Sequence, residues 1–248
     1  MKNHSFSLVI PTLNEEKKLP LLLKTIILQT YNAFEVIIVD SLSTDKTKSI
    51  AHSFKKQLPS LKFIQGKFKN VSQARNYGAS LSEGEFLVFF DADVKIESTF
   101  LEEINKKINQ LNLEALTVWN RAEKGFKNKL IFFLLNLSMS LFQKIKPAAN
   151  GACIIVKKSF FDKVQGFDEE IVFGEDFDLI QRLAKIKTRF AVFPRPILYV
   201  SPRRFEKEGL VKSLSKSIKA IIYQLFFGPI KKPIFEYKMG GSYYEDKK

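Results

Sequence analysis

Two carboxylates one residue apart, Asp91 and Asp93, stand where the apolar run Phe86-Leu87-Val88-Phe89-Phe90 stops. Aspartate oxygens are hard donors, and a pair at this spacing can share Mg2+ or Mn2+, which in turn can grip a diphosphate. A solvated acidic turn is the plain alternative. A second acidic pair, Glu175-Asp176, follows Gly174. There a carboxylate can take a proton from an attacking hydroxyl, or can simply favour the positive end of a helix dipole.

The elements around these acids decide what they can reach. An apolar run rich in aromatic and β-branched residues reads as a strand buried on both faces, so Asp91 and Asp93 emerge at its carboxyl end, where open α/β sheets bind ligands. Upstream, strands are expected at Phe6–Ile10, Phe34–Val39 and Leu61–Gln65. Helices are expected at Glu15–Thr30, Lys46–Leu58 and Val71–Leu81. This alternation predicts a layered, parallel-rich sheet. Downstream, a helix from about Ser98 to Leu111, strands at Ala115–Trp119, Cys153–Val156, Arg189–Phe193 and Ile197–Val200, and a helix at Glu175–Lys185 complete the folded part.

Three polar constellations fall at strand ends: Pro11-Thr12-Leu13-Asn14-Glu15, Asp40 with Ser43 and Asp45, and the Asp91/Asp93 pair. Arg75-Asn76 lies in the first turns of the helix after the third strand. Parallel neighbours would bring all four to one rim and make a pocket. Each also has a structural reading: Asn14 as a helix cap, Asp45 as a helix N-terminal acid, Arg75 as the partner of a surface acid.

In family order, the segments Val9-Ile10-Pro11-Thr12-Leu13-Asn14-Glu15-Glu16, Val39 to Thr47, Ala74-Arg75-Asn76-Tyr77-Gly78, Asp91-Ala92-Asp93 and Gly174-Glu175-Asp176 resemble a family 2 glycosyltransferase over residues 5 to about 200. The resemblance implies a GT-A fold: a Rossmann-like, layered α/β architecture with a mostly parallel mixed sheet, here followed by an amphipathic C-terminal helical segment. It implies transfer of a sugar from a nucleotide-diphosphate donor with inversion, assisted by Mn2+ or Mg2+. Pro11, Thr12 and Glu15 would line the nucleotide pocket, with Asn14 and Ser43 beside them. Asp40 would hold the base, Asp91 would face the ribose and Asp93 would ligate the metal. Arg75 would contact the diphosphate or organise the acidic triplet. Asp176 would be the base, with Glu175 orienting the acceptor or altering its pKa. One departure stands out: Leu42 occupies a position where the family more often has glycine.

Further acceptor or phosphate candidates are Asn150-Gly151 ahead of a strand, the single tryptophan Trp119, which could stack on a sugar or pack in the core, and Arg203-Arg204 after the last strand. The expected organisation is a domain over 1–200, with a nucleotide half (1–119) and an acceptor half (120–200), and a basic extension at 201–248.

Length and composition set bounds on the rest. At 248 residues and 45% hydrophobic content the chain can bury a full core. One cysteine, Cys153, and two histidines exclude a disulfide framework and make a Cys/His zinc site implausible. The polar start, Met1 to Ser7, shows no secretory signal, so a cytoplasmic place or the cytoplasmic face of a membrane is expected.

Of the net charge of +14, residues 120–150 carry +5 and residues 201–248 carry +6. Both segments are also rich in Phe, Leu and Ile, a combination that fits an anionic lipid surface rather than a nucleic-acid groove. Residues 126–147 and 205–232 are the expected contact segments; the apolar run within 126–147 is too short to span a bilayer, and a buried helix packed on the sheet is the competing account of it. The acceptor then follows as a glycan or a polyprenyl or other lipid-linked molecule. Two alternatives are a nucleotidyltransferase, which normally has a glycine- and lysine-rich loop where Pro11-Thr12-Leu13-Asn14-Glu15 stands, and a catalytically inactive binding module, which the intact acidic motifs oppose.

Overall fold

The computed structural model describes residues 1–235. The side chains of Arg204, Phe205, Leu210, Leu214, Ile221 and Leu225, and all of residues 236–248, lie outside that description, including that part of the expected extension.

Strands β1 (Phe6–Thr12), β2 (Phe34–Asp40), β3 (Leu61–Gln65) and β4 (Phe86–Phe90) alternate with helices α1 (Leu19–Ile27), α2 (Thr47–Ser53) and α3 (Val71–Ser80). Short β5 (Val94–Ile96) precedes α4 (Phe100–Leu111), β6 (Ala115–Ala122) and α5 (Phe126–Phe142). Then come β7 (Cys153–Lys157), α6 (Lys158–Lys163), α7 (Glu175–Lys185), β8 (Phe190–Val200), α8 (Arg203–Glu208) and α9 (Leu210–Phe227). The sheet order is β3-β2-β1-β4-β7-β6-β8-β5. Pairing is parallel for β1 with β2 and β4, β2 with β3, and β6 with β8. It is antiparallel for β4 with β7, β6 with β7, and β5 with β8.

Side chains alternate across a strand, so a strand buried on both faces feeds two cores. Leu8 and Ile10 of β1, with Val88 and Phe90 of β4, pack with α1 and α4. Val9, Leu87 and Phe89 join Phe161, Phe167 and Leu179 on the other face. Gly78 lets α3 close on that sheet, because a Cβ there would lie 2.4 Å from Val9 Cγ1.

Register makes the rim. Thr12 pairs with Asp40, and Val9 pairs with Phe89, which brings the ends of β1, β2 and β4 level. Antiparallel β7 pairs Cys153 with Phe90, so the residues entering β7 reach the same edge, where the Asp91 amide donates to the Ala152 carbonyl at 3.3 Å.

Several boundaries differ from the sequence expectation. Helix α1 starts at Leu19 instead of Glu15, with Pro20 in its first turn, where proline's missing N–H costs nothing. Residues Glu15 to Lys18 form the preceding turn, and this leaves Glu15 facing the rim. The two strands expected at 189–193 and 197–200 are one continuous β8, and a register shift between Val118 and Asn120 of β6 absorbs the Pro194-Arg195-Pro196 stretch. Three-residue β5 and six-residue α6 are too short to show a period.

Leu42 has φ 59° and is exposed. The left-handed region suits glycine, and an exposed leucine gains little packing in return. Replacing Leu42 by Gly is therefore expected to raise stability by about 1 kcal/mol in chemical denaturation.

Helix α5 buries only Asn136, whose side chain bonds both backbone groups of Asn120 in β6, donating at 2.7 Å and accepting at 3.1 Å. Leu130, Phe133, Leu134, Leu135, Leu141 and Phe142 stay exposed, while Phe132 packs against the core and Phe133 meets Trp119, so α5 lies on the sheet with an apolar face left open. Among the described residues no helix is long and apolar enough to cross a membrane.

Candidate active site

The rim encloses a cleft of about 500 Å³, within the size range of small-ligand sites. Pro11, Thr12, Glu15, Arg75, Asp91, Asp93, Asn150, Gly151, Glu175, Asp176 and Arg203 all line it. The two acidic pairs identified from sequence thus share one cavity.

Arg75 joins them. Its guanidinium is 2% exposed and donates to Glu175 Oε1 at 2.8 Å, Asp91 Oδ1 at 2.9 Å and the Gly151 carbonyl at 3.0 Å. It also lies over the Phe167 ring, 5.3 Å from the centroid. Burial alone would lower its pKa, but Asp91, Glu175 and Asp176 outweigh burial and raise it. Arg75 is therefore a fixed cation tying the end of β4 to the start of α7, and not the partner of a surface acid.

Asp176 is held against Gly151, where a Cβ would lie 3.4 Å from Asp176 Oδ2. Its Oδ1 accepts from the Phe177 amide at 2.8 Å. Burial pushes its pKa up to about 7, Glu175 adds to the rise, and the Phe177 amide and Arg75 oppose it. A carboxylate poised near neutral pH, lining a cleft, can accept a proton from a hydroxyl group.

On the other side, Arg203 reaches back 188 positions to clasp Glu15, donating to both carboxylate oxygens at 2.9 and 2.7 Å. Its Nε stands 3.0 Å from Asp93 Oδ2. Burial pushes the Glu15 pKa up to about 7 despite Arg203, with Asp93 and Asp91 adding to the rise. The pocket thus holds more negative charge than its arginines comfortably neutralise.

Asp91 and Asp93 fit a hard divalent ion by donor type, and the Asp91 side chain is 41% exposed to the cleft. Among the described residues no group of three His, Cys, Asp or Glu side chains forms a cage. Two carboxylates are enough for Mg2+ or Mn2+ when phosphates and water complete the shell.

Some expected residues take other places. Asp40 is fully buried and accepts from Thr12 Oγ1, the Ser43 amide and hydroxyl, and Gln65 Nε2, so its carboxylate braces the β1 and β2 ends behind the cleft. Ser43 Oγ accepts from the Asn14 amide, and Asn14 Oδ1 accepts from the Thr44 amide, so this pair locks two loops together without lining the cavity. Trp119 is also set apart: its indole donates to Ser140 at 2.8 Å and meets Phe133 edge-on, pinning α5 to β6.

Phe68, Lys69, Asn120, Phe132 and Phe173 line the cleft without having been singled out from sequence. No motif or period in the sequence marks them.

Comparisons with known proteins agree with this architecture. The family model described as Glycosyl transferase family 2 matches residues 7–162. The amylovoran biosynthesis glycosyltransferase AmsB of Erwinia amylovora is 27% identical over 243 residues, covering 88% of this chain and 77% of AmsB. The minor teichoic acid biosynthesis protein GgaB of Bacillus subtilis is 26% identical over an alignment of 203 residues that covers 77% of this chain, and the chain spans only 22% of GgaB.

Among solved structures, Staphylococcus aureus TarS 1-349 in complex with UDP-GlcNAc superposes with a TM-score of 0.64 at 24% identity, covering 79% of this chain and 58% of that one. The mannosyltransferase PcManGT from Pyrobaculum calidifontis, in complex with GDP-Man and Mn2+, gives 0.65 at 20% identity, covering 88% of this chain and 65% of that one. Both show the shared GT-A fold. With the family match spanning more than half its length, the chain belongs to glycosyl transferase family 2.

Proposed function

We propose that the chain is a metal-dependent, inverting glycosyltransferase that moves a sugar from a nucleotide diphosphate to a hydroxyl or phosphate of an acceptor presented at an anionic membrane surface. The observation that carries this reading is Arg75, which ties Asp91 on the donor side to Glu175 on the acceptor side across one cleft. In this reading residues 1–119 hold the donor, residues 120–200 hold the acceptor, and residues 201–248 form the basic extension.

Asp91 and Asp93 would hold Mn2+ or Mg2+, which supplies positive charge to the departing diphosphate. Arg203 sits where its guanidinium can turn from Glu15 and Asp93 toward a phosphate, a group that its fork of donors matches. Asp176, across the cleft, accepts the proton of the acceptor oxygen as that oxygen attacks the anomeric carbon. Glu175, fixed by Arg75, keeps the neighbouring carboxyl from ionising too readily.

A thermal-shift panel of UDP, GDP, dTDP and CDP sugars with Mn2+ tests donor binding, since stabilisation grows with affinity for the folded state. One donor should stand out with metal and lose most of its effect in Asp93→Ala. Equal stabilisation with EDTA present would remove the metal from the proposal.

Support for the membrane surface comes from α5 and α9. Phe133, Leu134, Leu141 and Phe142 on α5, and Ile218, Ile222, Phe226 and Phe227 on α9, are exposed, and Lys127, Lys129, Lys144, Lys212 and Lys219 flank or interleave them. Apolar side chains sunk into the headgroup boundary with lysines at its edge describe a peripheral protein, here on the cytoplasmic face. Sedimentation with anionic liposomes at low salt, lost at high salt or with neutral lipid, is the expected result. Recovery of all the protein in the supernatant would remove the surface.

A further inference from the structure

Residues 168–174, which lead into Glu175 and Asp176, contain neither helix nor strand of their own, and Gly174, the N-cap of α7, makes no side-chain cap bond. Their position therefore depends on neighbours. On one side α3 holds the start of the segment: Asn76 donates to the Phe167 carbonyl at 2.9 Å and accepts from the Phe167 amide at 2.9 Å, and Asn70 donates to the Glu169 carbonyl at 2.7 Å. On the other side the C-terminal segment holds the rest. The Val172 amide donates to the Ile230 carbonyl at 2.9 Å, Phe173 and Ile230 form an isolated antiparallel bridge, and the Ile230 side chain is fully buried. Lys231 pairs with Glu170 at 2.6 Å and with Asp168 at 3.3 Å.

Closest to the chemistry is the contact of α9 with Gly174. That residue has φ 79°, and a Cβ built on it would come within 2.4 Å of Gln224 Nε2. The positive φ favours glycine there, and a side chain at this position would displace the Gln224 amide from its place against the turn into α7.

We propose that Gln224 and Ile230 form a clip whose role is to position the carboxylates of Glu175 and Asp176 for reaction. They are positioning residues: neither lines the cleft, and both act through the backbone of residues 172–174. The clip lies on the acceptor side, whereas Thr12, Glu15 and Asp93 define the donor side. Loosening it is therefore expected to lower turnover and leave donor affinity intact. The inference rests on the reading of the α7 start as the proton-accepting side.

The test uses the full chain and the nucleotide sugar that stabilises it most, with Mn2+. Donor Kd is read by titration calorimetry, kcat by nucleotide release with water as acceptor, and folding by the melting temperature. Ile230→Asp and Gln224→Ala should each lower kcat about tenfold or more with donor Kd within twofold, while Ile230→Val stays close to the parent protein. Should Ile230→Asp fail to fold, Gln224→Ala decides by the same criterion. Folded variants with the parent kcat would overturn the clip, as would a Kd that weakens in step with kcat. Asp176→Asn, measured alongside, keeps the two readings apart. An active Asp176→Asn with impaired clip variants shifts the base to Glu175, whereas an inactive Asp176→Asn with normal clip variants removes the clip alone.

Discussion

Asp176→Asn is expected to cut turnover by about 10²–10⁴-fold, the span a positioned general base contributes, while donor affinity changes little. Asparagine keeps the shape and can still accept from the Phe177 amide, but it takes no proton from an acceptor. The buried carboxyl also sets a pH signature. Its pKa of about 7 places the acid limb of kcat/KM near neutrality, so activity rises with pH across that value.

Stability runs the other way. A carboxyl near 3.8 in the unfolded chain and near 7 in the folded one binds more protons when folded between those values. Its contribution is full below about pH 4 and is lost as pH rises through about 7. Opposite slopes of activity and melting temperature over this window, both flattened in Asp176→Asn, are the expected outcome. An activity that falls as pH rises from 6 to 8 would count against the base.

Arg75→Met is expected to produce the largest loss of stability. The guanidinium is buried among Asp91, Glu175 and the Gly151 carbonyl, and its removal leaves two carboxylates facing each other without a cation. Breaking a buried pair in this way costs about 3–5 kcal/mol, which for a chain of this size lowers the melting temperature by roughly 10 °C. Arg75→Lys should lose most of the same stability, because an ammonium cannot fork toward both acids. If Arg75→Met melted within about 2 °C of the parent, Arg75 would not be the brace described here.

Much of the cleft rim was legible in the sequence because it is local. The run Phe86 to Phe90 announces β4 by composition, and Asp91 and Asp93 then follow at its carboxyl end. The helix with Arg75 and Gly78 showed itself by spacing, and α7 has the expected bounds. The long-range features were not legible. Arg203 lies 188 positions from Glu15, and nothing in either neighbourhood encodes their pairing. Asp40 and Asp91 look alike in sequence, each ending an apolar strand. They diverge because Thr12, Ser43 and Gln65 turn inward on Asp40, while Asp91 opens to the cleft. Trp119 is at the end of its run but turns outward to α5, whose exposed apolar face no periodicity could have assigned to the surface or the core.

The central claim, that Asp176 delivers an acceptor oxygen to the anomeric carbon from the side opposite a departing nucleotide diphosphate, has a direct readout in stereochemistry. The α-linked nucleotide sugar that stabilises the protein most is incubated with enzyme and Mn2+, and the first-formed free sugar is followed by proton NMR before the anomers equilibrate. The β-anomer is expected first, and none is expected in the same interval with Asp176→Asn. Initial release of the α-anomer, or β-anomer formed equally fast by Asp176→Asn, would contradict it.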